Sequence, residues 1–371
     1  MKKHIYYFDY IRLIAAVSVI YMHVAAGPLR RTINYDWHAM NIVTCFAFTA
    51  VPLFFMMSGY LLLNSDKTAD ITFLLKKRLP RLVFPLIGWT VIAVLWRLIF
   101  GAGLSISGFY HGMVNAIQSP AWIHFWYMYT LIALYMLSPI IYGGLKNLDK
   151  KGHIYICALI CALNLKTILT ILSPEWLKPF FQINILNHLS LISGTVTIFI
   201  LGYYLGNLKK RIPNIVLIAT AAIVLSIIIF GTYHLTVKNG EFIQTFQNQY
   251  SGFEIVLASC VFLLFKQNCN KECKLFKAVP VLSLSLPIYL MHNILLTAML
   301  SKMFVNTFWD TIYVTVLNFI ICFIVTKTIA TIKPLCYILT GIPYSAACES
   351  CNWIFTYKRA KNVLTKKQKS A

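Results

Sequence analysis

Ten stretches of predominantly apolar residues, most of them about 20 long, recur along this chain, and that recurrence limits its fold more than any single motif. They lie near 8–27, 40–63, 82–100, 123–142, 153–172, 187–207, 213–235, 252–266, 279–301 and 311–333. A helix needs about 20 such residues to cross a hydrocarbon core of roughly 30 Å, because lipid offers no partners to unsatisfied backbone groups. Composition agrees. Of 371 residues 59% are hydrophobic and 12% charged, and the mean hydropathy is +0.71, whereas soluble domains carry about 25% charged residues. A water-soluble fold is excluded, and the expected class is an all-α integral membrane protein of about ten transmembrane helices. The short basic strip 70–80 predicts a separate helix lying at the membrane surface.

The formal net charge is +22, which on a soluble chain would suggest nucleic acid. On a membrane chain it is a test of sidedness, since Lys and Arg collect on the cytoplasmic side of short loops. With the N-terminus placed inside, 24 of the 33 cations fall in inner segments, five (Arg30, Arg31, Lys178, Lys238 and Lys302) fall outside, and Arg12, Arg97, Lys166 and Lys327 fall within spans. The asymmetry predicts both termini in the cytoplasm and no nucleic-acid partner. The first apolar stretch has no small-residue cleavage site and is expected to stay in the bilayer. Residues 1–340 read as one membrane domain and 341–371 as a basic cytoplasmic tail, so any chemistry falls to residues of the helices or short loops.

An ionisable group at bilayer depth costs a few kcal/mol, which makes each one a candidate for function. The first span holds Asp9, Arg12 and His23. Arg12 and His23 are 11 residues apart, about three helical turns, so they share a face about 16 Å apart along the axis. Asp9 stands three residues before Arg12, a spacing that allows a same-face ion pair. Such a pair could simply hold helices together, and His23 could simply hydrogen-bond a neighbour. Together, though, they place an imidazole able to take a proton near neutral pH in line with a fixed cation.

The second span carries Val51-Pro52-Leu53-Phe54-Phe55-Met56-Met57-Ser58-Gly59-Tyr60. Pro52 frees a backbone carbonyl and bends the axis, while Ser58 and Gly59 offer a small surface that a helix can approach closely. These residues return to the depth of Asp9 and Arg12. Arg78 and Arg81 follow Lys76 and Lys77. They fit an ordinary positive-inside cluster and equally a phosphate clamp, because guanidinium forks match phosphate oxygens. His124, Phe125, Trp126 and Tyr127 open the fourth span, where an aromatic belt is common. The ninth span combines Pro280 and Pro287 with Ile288-Tyr289-Leu290-Met291-His292, a pattern like the broken helices that line cavities. His124, His188, His234 and His292 read first as hydrogen-bonded packing residues. Most of the ten cysteines behave as small apolar groups. The pairs Cys269 with Cys273 and Cys348 with Cys351 are poor zinc candidates without supporting histidines, so no metal is expected.

Taken in order, these motifs resemble acyltransferase family 3, the polytopic O-acyltransferases of bacterial surface polysaccharides and related glycoconjugates. The resemblance rests on Arg12 with His23 ten intervening residues later, the Val51–Tyr60 motif, Arg78-x-x-Arg81, Phe125-Trp126-Tyr127 and Ile288–His292. It implies transfer of an acyl group, usually acetyl, from cytoplasmic acetyl-CoA or another acyl-CoA to a hydroxyl of an extracytoplasmic glycan or lipid-linked sugar, in the bacterial cell membrane. It further implies His23 and Arg12 as catalytic residues and Arg78 and Arg81 as contacts to the CoA phosphates. Asp9, Ser58, Tyr60, Trp126 and His292 stand as supporting residues. The bilayer is the expected environment, and the reading also admits a homo-oligomer. A rival reading, a transporter of a lipid-linked sugar or other solute, draws on the intramembrane charges and proline-broken helices. It predicts corresponding broken helices in two halves, and no such pair is visible.

Overall fold

The structure is a computed structural model that describes residues 4–174, 176–181, 194–271 and 281–358. Its main helices are α1 (Tyr6–Ala25), α2 (Tyr35–Ala47), α3 (Ala50–Leu63), α4 (Pro80–Arg97), α5 (Ile106–Gln118), α6 (Trp126–Asn147), α7 (Lys150–Leu172), α8 (Thr195–Asn207), α9 (Asn214–Asn239), α10 (Gly252–Asn268), α11 (Ser285–Leu300), α12 (Phe308–Ile329), α13 (Lys333–Thr340) and α14 (Tyr344–Ser350). No strand occurs among the described residues. Seven segments are long and apolar enough to cross a membrane: Tyr6–Arg30, Tyr35–Leu63, Ile71–Gly101, Ile123–Asn147, Lys150–Leu172, Asn214–Asn239 and Phe308–Ile329. They coincide with seven of the ten expected spans. Of the other three, α10 and α11 are shorter, at 17 and 16 residues. The first part of the stretch 187–207 lies outside the described residues, as do His188, Cys273 and Pro280.

Helices α7 and α9 present Ile154, Tyr155, Ile215, Ile223 and Phe230 on exposed faces. A helix that is apolar all round and still exposed is stable only in an apolar solvent, which makes the chain a multi-pass membrane protein.

Two local expectations are met for visible reasons. The second span breaks between Ala47 and Ala50. Pro52 has no N–H to offer the Phe48 carbonyl four residues earlier, so the ladder cannot continue. Thr49 bridges the break, its hydroxyl donating to the Phe46 carbonyl at 2.7 Å. The small surface at Ser58 and Gly59 is also used. A Cβ on Gly59 would stand 1.8 Å from the Phe199 carbonyl oxygen of α8, and one on Gly202 would stand 2.1 Å from the Met56 carbonyl oxygen. Between apolar helices in lipid, association depends on close packing rather than water exclusion, and here glycines on both helices remove the side chains that would hold α3 and α8 apart.

Two other expectations are corrected. The strip 70–80 is helical, but it is no separate surface element: Ile71–Phe73 passes through a π-turn at Leu74–Arg78 directly into α4. The wider turn accommodates Pro80, whose missing N–H falls at the start of α4, where it has little cost. Pro287 does not break a helix either. It occupies the first turn of α11, where its N–H would have no intrahelical partner anyway.

The helices fall into two compact units, the first of residues 1–71, 134–271 and 304–315 and the second of residues 72–133, 272–303 and 316–371. In the first unit α1 packs against α2, α3 and α10. Tyr21, Ala25, Leu29, Trp37, Met40 and Ala47 form its core at the far end of α1, and the Trp37 indole donates to the Leu29 carbonyl at 2.9 Å. In the second unit α13 packs along α4, where the Trp89 indole donates to the Leu339 carbonyl at 2.9 Å. The described residues beyond α13, 341–358, are folded too. Asn352 is fully buried and donates to the Ala330 carbonyl, while Lys327 lies 4.0 Å from the centre of the Trp353 ring.

Candidate active site

Helix α1 runs unbroken from Tyr6 to Ala25, so the spacing of Arg12 and His23 becomes geometry. Eleven residues at 100° each bring them back to within about 20° around the axis, with a rise of about 16 Å. Both side chains are partly buried. Asp9 is 6% exposed, and His4 Nε2 approaches its Oδ2 at 2.6 Å. His4 precedes the motif, and nothing in the spacing rules had paired it with Asp9. Across from this end of α1, the Tyr60 ring meets Phe8 edge-on with centroids 5.6 Å apart. The first unit therefore places Tyr60 at the end of α1 that carries Asp9 and Arg12, with Ser58 two residues before Tyr60 on α3, and sets His23 three turns away, next to the Trp37 core.

The second unit holds the other candidates in two places. Arg78 ends the π-turn with its guanidinium 5.5 Å from the Phe73 ring centre, and Arg81 follows, exposed, in the first turn of α4. Three residues apart on continuous helix, they lie on one face. The backbone beneath them is fixed by Gly341, whose φ of +69° ends α13 and whose missing side chain leaves room for the Arg81 carbonyl. A Cβ there would be 2.1 Å from that oxygen.

The fourth-span and ninth-span motifs come together. His124 and His292 are 2% and 0% exposed, with ring centroids 4.6 Å apart. The Tyr289 hydroxyl donates to the His124 carbonyl, His124 Nε2 stands 3.2 Å from the Leu290 carbonyl, and the Asn318 amide donates to the His292 carbonyl at 3.0 Å. Tyr127 packs on Tyr289 at 5.2 Å. Trp126 is the next residue back from Tyr127, partly buried at the start of α6. These contacts make His124 an interhelical strut and pack the His292 ring against it. His234 is exposed on α9. The described cysteines are free thiols, and among the described residues no three His, Cys, Asp or Glu side chains gather as a metal site.

One group escaped the reading of the sequence. Glu254, in the first turn of α10, is fully buried, and neither carboxylate oxygen has a hydrogen-bond partner. Its surroundings are polar: Gln247 donates to Asn41 at 2.7 Å and to Cys45 Sγ at 3.1 Å, with Cys45 close enough to the Glu254 carboxyl that negative charges on both would repel. The signal was a lone carboxylate in an apolar stretch, the same rule that singled out Asp9. The Gly202-x-x-x-Gly206 spacing on α8 was likewise legible as a close-packing motif.

A family described as an acyltransferase domain, acyltransferase 3, matches residues 5–332. No curated protein and no solved structure matches the chain. The family match begins at the foot of α1, runs through the Arg78 and Arg81 segment and the paired histidines, and ends just past α12, so the chain belongs to the acyltransferase 3 family and is a membrane acyltransferase.

Proposed function

We propose that this enzyme moves an acyl group, acetyl first among them, from cytoplasmic acyl-CoA to a hydroxyl of an extracytoplasmic carbohydrate or cell-envelope glycan. It does so in the bacterial cell membrane, through ten spans with both termini in the cytoplasm. The acceptor oxygen attacks the thioester carbonyl while His23 takes the hydroxyl proton. The C–S bond then breaks, the acyl ester forms, and the departing CoA thiolate is protonated. Arg12 lies about 16 Å from His23 along the same stripe, so its fixed positive charge attracts the anionic CoA donor from the cytoplasmic side rather than touching the reacting atoms. Arg78 and Arg81 take the CoA phosphates by charge-assisted hydrogen bonds. Asp9, Ser58, Tyr60, Trp126 and His292 hold these groups in place.

One observation carries the reading: an imidazole and a guanidinium share one face of an unbroken apolar helix in a chain whose family transfers acyl groups. The test is sidedness. Labelled acetyl-CoA supplied to inside-out vesicles should leave label on glycan inside the vesicle, and the same donor outside right-side-out vesicles should leave none. Equal labelling from both orientations contradicts a cytoplasmic donor.

A further inference from the structure

At the end of α4 remote from Arg81 the second unit opens a cavity of about 1030 Å³, at the upper end of volumes that hold small molecules. Sixteen residues separate Arg81 from Arg97, a rise of about 24 Å, close to the thickness of a bilayer core. On the topology proposed above, this is the extracytoplasmic face. Trp96, Phe100 and Met303 make apolar walls, and Arg97, Lys302 and Trp122 supply the polar groups. Among the described residues, no Asp or Glu lines it. Arg97 is held in position, its guanidinium donating to the Ala121 carbonyl and lying 5.5 Å from the Trp122 ring centre. The Trp122 indole N–H is buried and, among the described residues, has no hydrogen-bond acceptor.

An aromatic belt accounts for tryptophans at this depth. It does not account for a buried indole donor left unsatisfied, which costs about 1–3 kcal/mol, nor for two cations around an apolar hollow without a counter-charge. Apolar walls suit a hydrocarbon tail. The two cations and the indole donor suit phosphate oxygens, which accept charge-assisted hydrogen bonds.

We infer that this cavity binds the acceptor as a lipid-linked saccharide: a long hydrocarbon chain against Trp96, Phe100 and Met303, with its phosphate or diphosphate held by Arg97, Lys302 and the Trp122 N–H. The inference rests on the proposed function for the identity of the cavity's guest as acceptor, and it narrows that acceptor from glycan in general to glycan still attached to its phosphate carrier. A phosphate-binding pair then stands at each end of α4, Arg78 with Arg81 for the donor and Arg97 with Lys302, from beyond α11, for the acceptor.

The full-length protein in detergent micelles provides the test, with native mass spectrometry or tryptophan fluorescence reporting binding. The probes are a prenyl phosphate, the matching prenyl alcohol, phosphatidylglycerol and inorganic phosphate. The prenyl phosphate is expected to bind at least about tenfold tighter than the alcohol or phosphatidylglycerol, without displacement by millimolar inorganic phosphate. Lys302→Gln, at an exposed position, should weaken it several-fold, the double variant with Arg97→Gln about tenfold, and Trp122→Phe a few-fold. Equal binding of the alcohol leaves only an apolar hollow, equal binding of phosphatidylglycerol an ordinary lipid site, and full displacement by inorganic phosphate a simple anion site; each overturns the inference. His23→Ala should bind the prenyl phosphate as wild type does. Binding without acyl transfer counts against the proposed function alone, and transfer without binding counts against the cavity alone.

Discussion

The two units bury polar side chains in different company. In the second, His124, Tyr289 and Asn318 are engaged with backbone carbonyls of neighbouring elements, and His292 Nδ1 stands beside the Tyr289 carbonyl of its own helix. In the first, Glu254 lies fully buried, and among the described residues neither of its oxygens nor the nearby Gln247 carbonyl oxygen has a hydrogen-bond partner. The contrast separates two uses of polarity inside a membrane. A histidine anchored to backbone acts as a strut and needs no chemistry to explain it. A buried carboxyl without donors costs stability, so its presence is not explained by packing.

Ways to break that comparison follow in order of effect. The largest belongs to the backbone contact that organises the first unit: Gly202→Leu forces a side chain onto the Met56 carbonyl and should abolish monodisperse protein in detergent, since overpacking costs about 1–3 kcal/mol even where neighbours can yield. Gly143→Leu, where a Cβ meets nothing within 4 Å, should leave the elution profile unchanged. Next, replacing Arg78 and Arg81 together with Gln should raise the KM for acyl-CoA about tenfold with kcat largely kept, as expected for lost ground-state binding. The same change at Lys209 and Lys210 should leave KM alone, and equal effects at both pairs would reduce Arg78 and Arg81 to orientation signals. Within the second unit, Asn318→Leu removes the donor to the His292 carbonyl and should lower thermal stability by about 1 kcal/mol. Smallest of all, Glu254→Gln should be neutral or stabilising by up to about 1 kcal/mol. A clear loss of stability would mean that the carboxylate is held by partners, and the contrast between the units would fall.

Much of this was legible in the chain itself because membrane helices obey few rules. Hydropathy located the long helices, Pro52 located the break in the second span, and the 11-residue spacing set Arg12 and His23 on one face. Contacts remote in sequence were not legible. Nothing local tells that His124 meets His292 across 168 positions, or that His4 turns back onto Asp9. Proline was read too uniformly: its cost depends on where the helix begins, and Pro287 falls in a first turn. The strip 70–80 was judged too basic to join a span, yet a π-turn lets it continue into α4, with Lys76 and Lys77 on the exposed side. Glu254 was missed because its stretch was read for length rather than for its one carboxylate.

The central claim is that His23 does the chemistry, and the rate of acyl transfer by correctly inserted protein tests it most directly. Full-length wild type and His23→Ala should be compared in inside-out vesicles with labelled acetyl-CoA, at matched membrane content and matched thermal stability. The account predicts that transfer falls by about 10²–10⁴-fold in the variant, the range expected when a general base is removed. A variant that inserts normally and transfers within a few-fold of wild type would contradict it.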